Sequence, residues 1–186
     1  MTHASRILSG YDRITTALER ADWLLPTLAR LVFAGVLLGY FWASGLTKLG
    51  PGLLGLFQPS TGAYAQIFPR AMEAVVYDVS QLGLYHTAVV LAGTWAEFIL
   101  PLLIVLGLLT RLAALGMIGF VIVQTLTDLI GHGAWAHPQT VGAWFDRIPD
   151  SLIMDQRALW LLVLVVLVIK GAGALSLDRV LRRATR

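Results

Sequence analysis

Glu97 stands in a run, residues 86–110, in which no other residue is acidic or basic except His86 at its edge. At ~1.5 Å per residue such a run outreaches the ~30 Å hydrocarbon core of a bilayer and reads as a membrane-crossing helix. A carboxylate near the bilayer centre costs about 3 kcal/mol on insertion scales. It persists where a cation, a proton or a water-filled cavity accommodates it, so Glu97 is the first candidate for accepting a proton or for hydrogen bonding to a ligand carbonyl. Lys170, in another apolar run, falls at a comparable depth and offers an intramembrane ion pair. Alternatively Lys170 snorkels to the headgroups, helped by the small Gly171, Ala172 and Gly173. Glu97 is then protonated, or hydrogen-bonded to Trp95, to a carbonyl freed by Pro101, or to another helix.

A second constellation is Gln124, Asp128 and His132, spaced i, i+4 and i+8 along one helical face. Lys48 and His86 arrive at the same end of the membrane from other helices. An acid, two imidazoles, an amide and an ammonium at one depth suit a polar headgroup such as a quinone carbonyl, or a proton path. The competing reading is interfacial salt bridges and solvated helix ends. On the first reading the candidate catalytic residues are Glu97, Asp128 and His132, and a quinone is met by Glu97, Trp95, Gln124, His86 and Lys48. No other cofactor is evident. His86 and His132 alone are a poor case for haem, and His132 with His137 gives only two metal ligands, so no metal site is expected. The chain has no cysteine, which removes disulfides, thiol relays and Cys-ligated clusters.

The elements that must position these groups follow from composition and hydropathy. Hydrophobic residues make up 57% of the chain and charged residues only 13%, against about 25% in a soluble domain, so the chain belongs in a membrane. Four apolar stretches, about 24–46, 84–109, 112–130 and 158–175, are each near the ~20 residues a spanning helix needs. The first starts too late and runs too long for a cleaved signal peptide and is expected to be retained. Gly35 and Gly39 make a small-xxx-small pair that permits close helix packing and says nothing of activity.

Of the 14 Lys and Arg residues, 12 are Arg. Arg6, Arg13, Arg20, Arg30, Arg111, Lys170, Arg179, Arg182, Arg183 and Arg186 fall on one side of the membrane, and Lys48, Arg70, Arg147 and Arg157 on the other, ten against four. The positive-inside rule makes both termini cytoplasmic. The basic residues form no stripe interleaved with aromatics, so nucleic acid is not an expected partner. Residues 1–23 carry an amphipathic stretch with Ile7, Tyr11, Ile14 and Leu18 on one face, expected on the cytoplasmic leaflet. A basic tail, 176–186, begins at Ser176, a plausible helix N-cap. On the far side the connections 47–83 and 131–157 are long. In the first, Ile67, Phe68, Met72, Val75, Val76 and Val79 predict a helix lying flat in the interface. The second carries Trp135, Trp144 and Phe145, which favour headgroup depth. Both could lid the bundle or merely pad its surface.

The string LARLVFAGVLLGYFWASGLTKLG (28–50) resembles the first helix of the DoxX family, and AEFILPLLIVLGLLTRLAALGMIG (96–119) resembles its signature of an acidic residue in helix two followed by an L-G-L-x-T-R-x-A-A turn. The last span, ending GAGALSLDRVL, is similar to that family's fourth helix and tail. The motif positions matched are Arg30, Gly45, Lys48, Glu97, Gly107, Thr110 and Arg111; Lys170 joins them as a structural candidate. The long far-side loops and the amphipathic leader depart from the short family core. The resemblance implies an all-α, four-helix integral membrane bundle of the bacterial inner membrane, associated with quinone-linked or oxidative-stress oxidoreductase complexes. Its expected partners are the bilayer, a membrane or peripheral redox subunit and, alternatively, further copies of itself. Rival readings are a non-catalytic scaffold or assembly factor, in which Glu97 only clasps helices, and a small solute permease.

Overall fold

The structure, a computed structural model, describes residues 3–185, with side chains from residue 9 onward. Arg6 and Ile7 of the amphipathic leader therefore fall outside the described side chains, and Arg186 outside the described residues. Among the described residues every regular element is helical. Four helices are long and apolar enough to cross a membrane: Leu24–Lys48, Leu84–Leu106, Thr110–Gly131 and Leu152–Lys170. At ~1.5 Å per residue the shortest, of 19 residues, reaches about 28 Å and the longest, of 25, about 37 Å. The first span packs its N-terminal half on the fourth and its C-terminal half on the second, and the third packs on both the second and the fourth. This is a closed ring of four antiparallel neighbours.

The packed core fills the half of the bundle nearer the chain termini. Phe33, Leu37 and Phe41, a ridge at i, i+4 and i+8 on the first span, meet Ile104, Met117, Val121, Leu164 and Leu167. Phe41 sets its ring edge-on to Phe120 and Trp160. The outward faces carry Leu31, Leu46, Leu112, Leu115, Leu159 and Ile169, all exposed. An apolar core beneath an apolar exterior is what a bundle surrounded by lipid requires.

Sequence expectation and structure differ at the span ends. The fourth span starts six residues before the expected 158 and stops at Lys170, because its first turns, Leu152–Arg157, are π-helical and bury Ile153 and Arg157. Arg157, expected at the end of the second far-side connection, is inside the bundle with 2% of its surface exposed. The second span ends at Leu106 rather than 109: Gly107, at φ +70°, closes it, its N–H reaching Ile104 O and that of Leu108 reaching Leu103 O. Thr110 and Arg111 thus open the third helix instead of forming the turn.

The expected flat helix in the first far-side loop is two short helices, Thr61–Ile67 and Pro69–Ala74. Pro69 forces the break by excluding α-geometry at Phe68. Their apolar face does not lie open: Met72 is fully buried with Ala63, Tyr64 and Val90, while Val76 points away and is exposed. In the second loop Trp135, Trp144 and Phe145 are exposed. On the termini side, helix His3–Arg20 exposes Tyr11, Ile14 and Leu18. Helix Leu177–Ala184 is capped by Ser176, whose Oγ accepts from the Arg179 N–H.

Candidate functional site: a polar-ended cavity inside the bundle

In the half of the bundle away from the termini the first three spans separate around a cavity of about 610 Å³. Its walls include Val89, Leu100, Phe120 and Val123, and three glycines, Gly93, Gly116 and Gly119, provide room. Gln66 and Ile67 of the first loop and Leu152 at the start of the fourth span form part of the lining, so both long loops bear on the cavity mouth.

Glu97 lies in this wall, 2% exposed, and its partner is Lys48. The Lys48 ammonium donates to Glu97 Oε1 at 3.0 Å and Oε2 at 2.9 Å. Ser44, one turn before Lys48, donates its hydroxyl to Glu97 Oε1 at 2.9 Å and accepts from Lys48 Nζ at 2.7 Å. A helical side chain leans toward its own N-terminus, so Lys48, the last residue of the first span, reaches back down into the membrane to meet the acid. Of the two readings of Lys170, the pair with Glu97 is not formed: Lys170 is at the opposite end of the bundle, 44% exposed, with its ammonium 3.3 Å from Asp22, a position that suits the snorkelling alternative.

A second ion pair faces the same cavity. Arg157 binds Asp128 through Nη2 and donates through Nη1 to Thr125 Oγ1 at 2.9 Å. Both partners sit in π-turns, Thr127–Gly131 and Leu152–Arg157, recognisable from the i→i+5 bonds His132 N to Thr127 O and Gln156 N to Ser151 O, each 3.0 Å. A π-turn widens the helix by one residue and commonly marks a working position. Gln124 donates to the Tyr40 hydroxyl at 3.0 Å, and His132 Nε2 lies 2.9 Å from Gln66 O, tying the third span to the lid loop. Two polar atoms of this wall are buried without a protein partner, the acceptor Gln124 Oε1 and the donor Arg157 Nε.

Five of the residues singled out from the sequence therefore meet here: Lys48, Glu97, Gln124, Asp128 and His132. Two do not. Trp95 faces outward, its indole N–H bonded to Leu56 O at 2.7 Å and its ring edge-on to Phe57. His86 sets its ring edge-on to Phe68, ring centroids 4.8 Å apart, and is absent from the cavity wall. Sequence reasoning missed Tyr40, Ser44 and Arg157. Ser44 was within reach, since i, i+4 spacing puts it on the face of Lys48. Among the described residues no group of three His, Cys, Asp or Glu is arranged to hold a metal ion.

The motif residues on the termini side form a structural clasp instead. Arg30 donates to Ile104 O and Ala172 O, both at 2.9 Å, and also to Val105 O and Leu175 O, satisfying carbonyls of the last turn of the second span and tying them to the segment that follows the fourth. Asp178 caps the third span, accepting from Leu109 N at 2.8 Å and Thr110 N at 3.0 Å. Burial pushes the Asp178 carboxyl up, but these hydrogen bonds and nearby Arg182 outweigh it and leave the group below the usual carboxylate range. A Cβ on Gly107 would fall 2.6 Å from Ser176 Cβ and 2.9 Å from Arg30 Cζ, so the clasp closes only over glycine. At Gly45 a Cβ would fall 2.7 Å from the Phe98 ring, so the first and second spans pack tightly there, beside Glu97.

A family model described as DoxX matches residues 25–133. That stretch contains the first three spans and Lys48, Glu97, Gln124, Asp128 and His132; Arg157 and the fourth span lie beyond it. No curated protein and no solved structure matches the chain.

Proposed function

Because the chain belongs to the DoxX family, we propose that it is a quinone-interacting membrane subunit of a respiratory or oxidative-stress redox complex, with the quinone ring held in the cavity beside Glu97. The carrying observation is that an apolar cavity of about 610 Å³, within the usual ligand-site range, ends in charges that cancel: Lys48 against Glu97 and Arg157 against Asp128. A wall without net charge suits a neutral ring. Gln124 Oε1 and Arg157 Nε, an unpaired acceptor and an unpaired donor, suit the hydroxyls of a quinol and the carbonyls of a quinone. A quinone there supplies a two-electron, two-proton couple to a partner subunit. The chain's own part is to orient the ring, exclude water, and take or return protons at the Glu97 and Asp128 carboxylates, with Lys48 and Arg157 balancing their charge.

The scaffold reading has one observation in its favour, namely that the Lys48–Glu97 pair ties the first span to the second. The two readings separate on Glu97→Gln. The quinone reading expects wild-type protein purified in mild detergent to yield quinone on lipid extraction, and Glu97→Gln to lower quinol-dependent turnover of the complex at least tenfold. Absence of quinone from the wild type together with unchanged turnover in the variant would sink it. We further place the protein in the bacterial inner membrane, as its family suggests, with its termini cytoplasmic, as the ten-to-four bias of Lys and Arg implies.

A further inference from the structure

We infer that the termini end of the bundle carries a binding site for the phosphate group of an anionic phospholipid, independent of the quinone reading. A second cavity, of about 300 Å³, lies where the first, third and fourth spans end against the C-terminal helix. Arg111, Lys170, Arg179 and Arg182 line it with Asp22 and Asp178, four cations against two acids. Both acids are already engaged: Asp22 by the Lys170 ammonium at 3.3 Å, Asp178 by the N–H groups of Leu109 and Thr110. Among the described residues no carboxylate forms an ion pair with Arg111, Arg179 or Arg182. Three arginines thus line the recess without an ion-pair partner, Arg182 acting on Asp178 only at longer range, and guanidinium donors are the chemistry that selects a phosphate.

The position of the recess identifies the source of that phosphate. It opens at the ends of spanning helices, at headgroup depth. Its rim includes Trp23, 53% exposed, a residue type that anchors at the membrane interface. From there the exposed Leu25, Leu28 and Leu31 continue down the first span as a track for acyl chains. The flanking helices His3–Arg20 and Leu177–Ala184 expose apolar residues, Leu18 on one and Val180 and Leu181 on the other, as helices lying in the interface do. A soluble anion would gain nothing from that track, whereas a diacyl phosphodiester satisfies both parts.

The test is native mass spectrometry of the delipidated full chain in neutral detergent, titrated with phosphatidylglycerol, phosphatidylcholine or inorganic phosphate alone. Phosphatidylglycerol is expected to bind saturably and phosphatidylcholine at least tenfold more weakly, with phosphate alone giving no stable adduct. Neutralising all three arginines (Arg111→Gln, Arg179→Gln, Arg182→Gln) is expected to weaken phosphatidylglycerol on the order of a hundredfold, about a factor of five per arginine. Arg183→Gln, outside the recess, is the control expected to leave binding unchanged. The three Arg→Lys substitutions keep the charge but lose the guanidinium fork and are expected to bind between wild type and the triple Gln variant, which separates loss of the site from loss of the fold. Equal binding of the two lipids, a phosphate adduct as tight as the lipid one, or an undiminished triple Gln variant would overturn the inference.

Discussion

Lys48 and Glu97 hold each other in a place where neither could stand alone. Removing one member of a buried pair leaves an uncompensated charge and typically costs about 3–5 kcal/mol, whereas replacing both by apolar residues of similar volume is often neutral. Lys48→Ala is therefore expected to lower thermal stability in detergent by an amount in that range, and Lys48→Met with Glu97→Leu to recover most of it. Quinone binding is expected to be lost in both. A double variant that is stable and still binds quinone would show the pair to be a clasp only. The position of Glu97 was legible in the sequence because an acid in an apolar run needs no alignment to be noticed. Its partner was not. Lys170 falls at the depth of Glu97 only if the fourth span runs 158–175; that span ends at Lys170, which leaves the ammonium at the termini end, while Lys48 leans back from the end of its own helix to reach the acid.

At the scale of elements, four spans are readable from hydropathy, but their ends are set by groups far away in the chain. Asp178 caps the third span across 68 residues from Thr110, and Arg30 ties the end of the second span to the segment after the fourth. Neither role leaves a local signal. The π-turns that bring Asp128 and Arg157 together are equally silent, since an i→i+5 turn has no composition of its own, and Arg157 therefore read as part of a loop. Asp178 has a pH signature. Its carboxyl lies lower in the folded chain than the unperturbed ~3.9, so its contribution is complete above about pH 4 and is lost as pH falls through the folded value. Asp178→Asn keeps one acceptor oxygen for two N–H groups and is expected to be less stable than wild type at pH 7 by about 1 kcal/mol, the worth of one lost hydrogen bond, with the difference closing as the pH is lowered below 4. Melting curves that stay parallel down to pH 3 would contradict this role.

Across the whole molecule the two ends of the bundle do different work. The termini half carries the packed core and the Arg30 and Asp178 clasp, with the arginine-lined recess at its end, and the far half is opened by glycines, closed over by loops and lined with two charge pairs. The orientation of these halves can be read on the Cys-free chain with single cysteines and a membrane-impermeant maleimide. Phe145→Cys, in the fully exposed far-side loop, is expected to label in intact cells, and Arg183→Cys only after lysis. The reverse pattern would invert the topology.

The central claim is that the far-side cavity holds a quinone, and Gly119 permits a direct test. It belongs to the cavity wall, and a Cβ placed on it meets no atom within 4 Å. Gly119→Leu therefore fills space without touching either ion pair, and replacing a mid-helix glycine favours the helix by up to about 1 kcal/mol. The measurement is the quinone content of purified Gly119→Leu against wild type, with thermal stability recorded alongside. The account predicts at least a tenfold loss of quinone at equal or higher melting temperature. An equally stable variant with undiminished quinone content would contradict it.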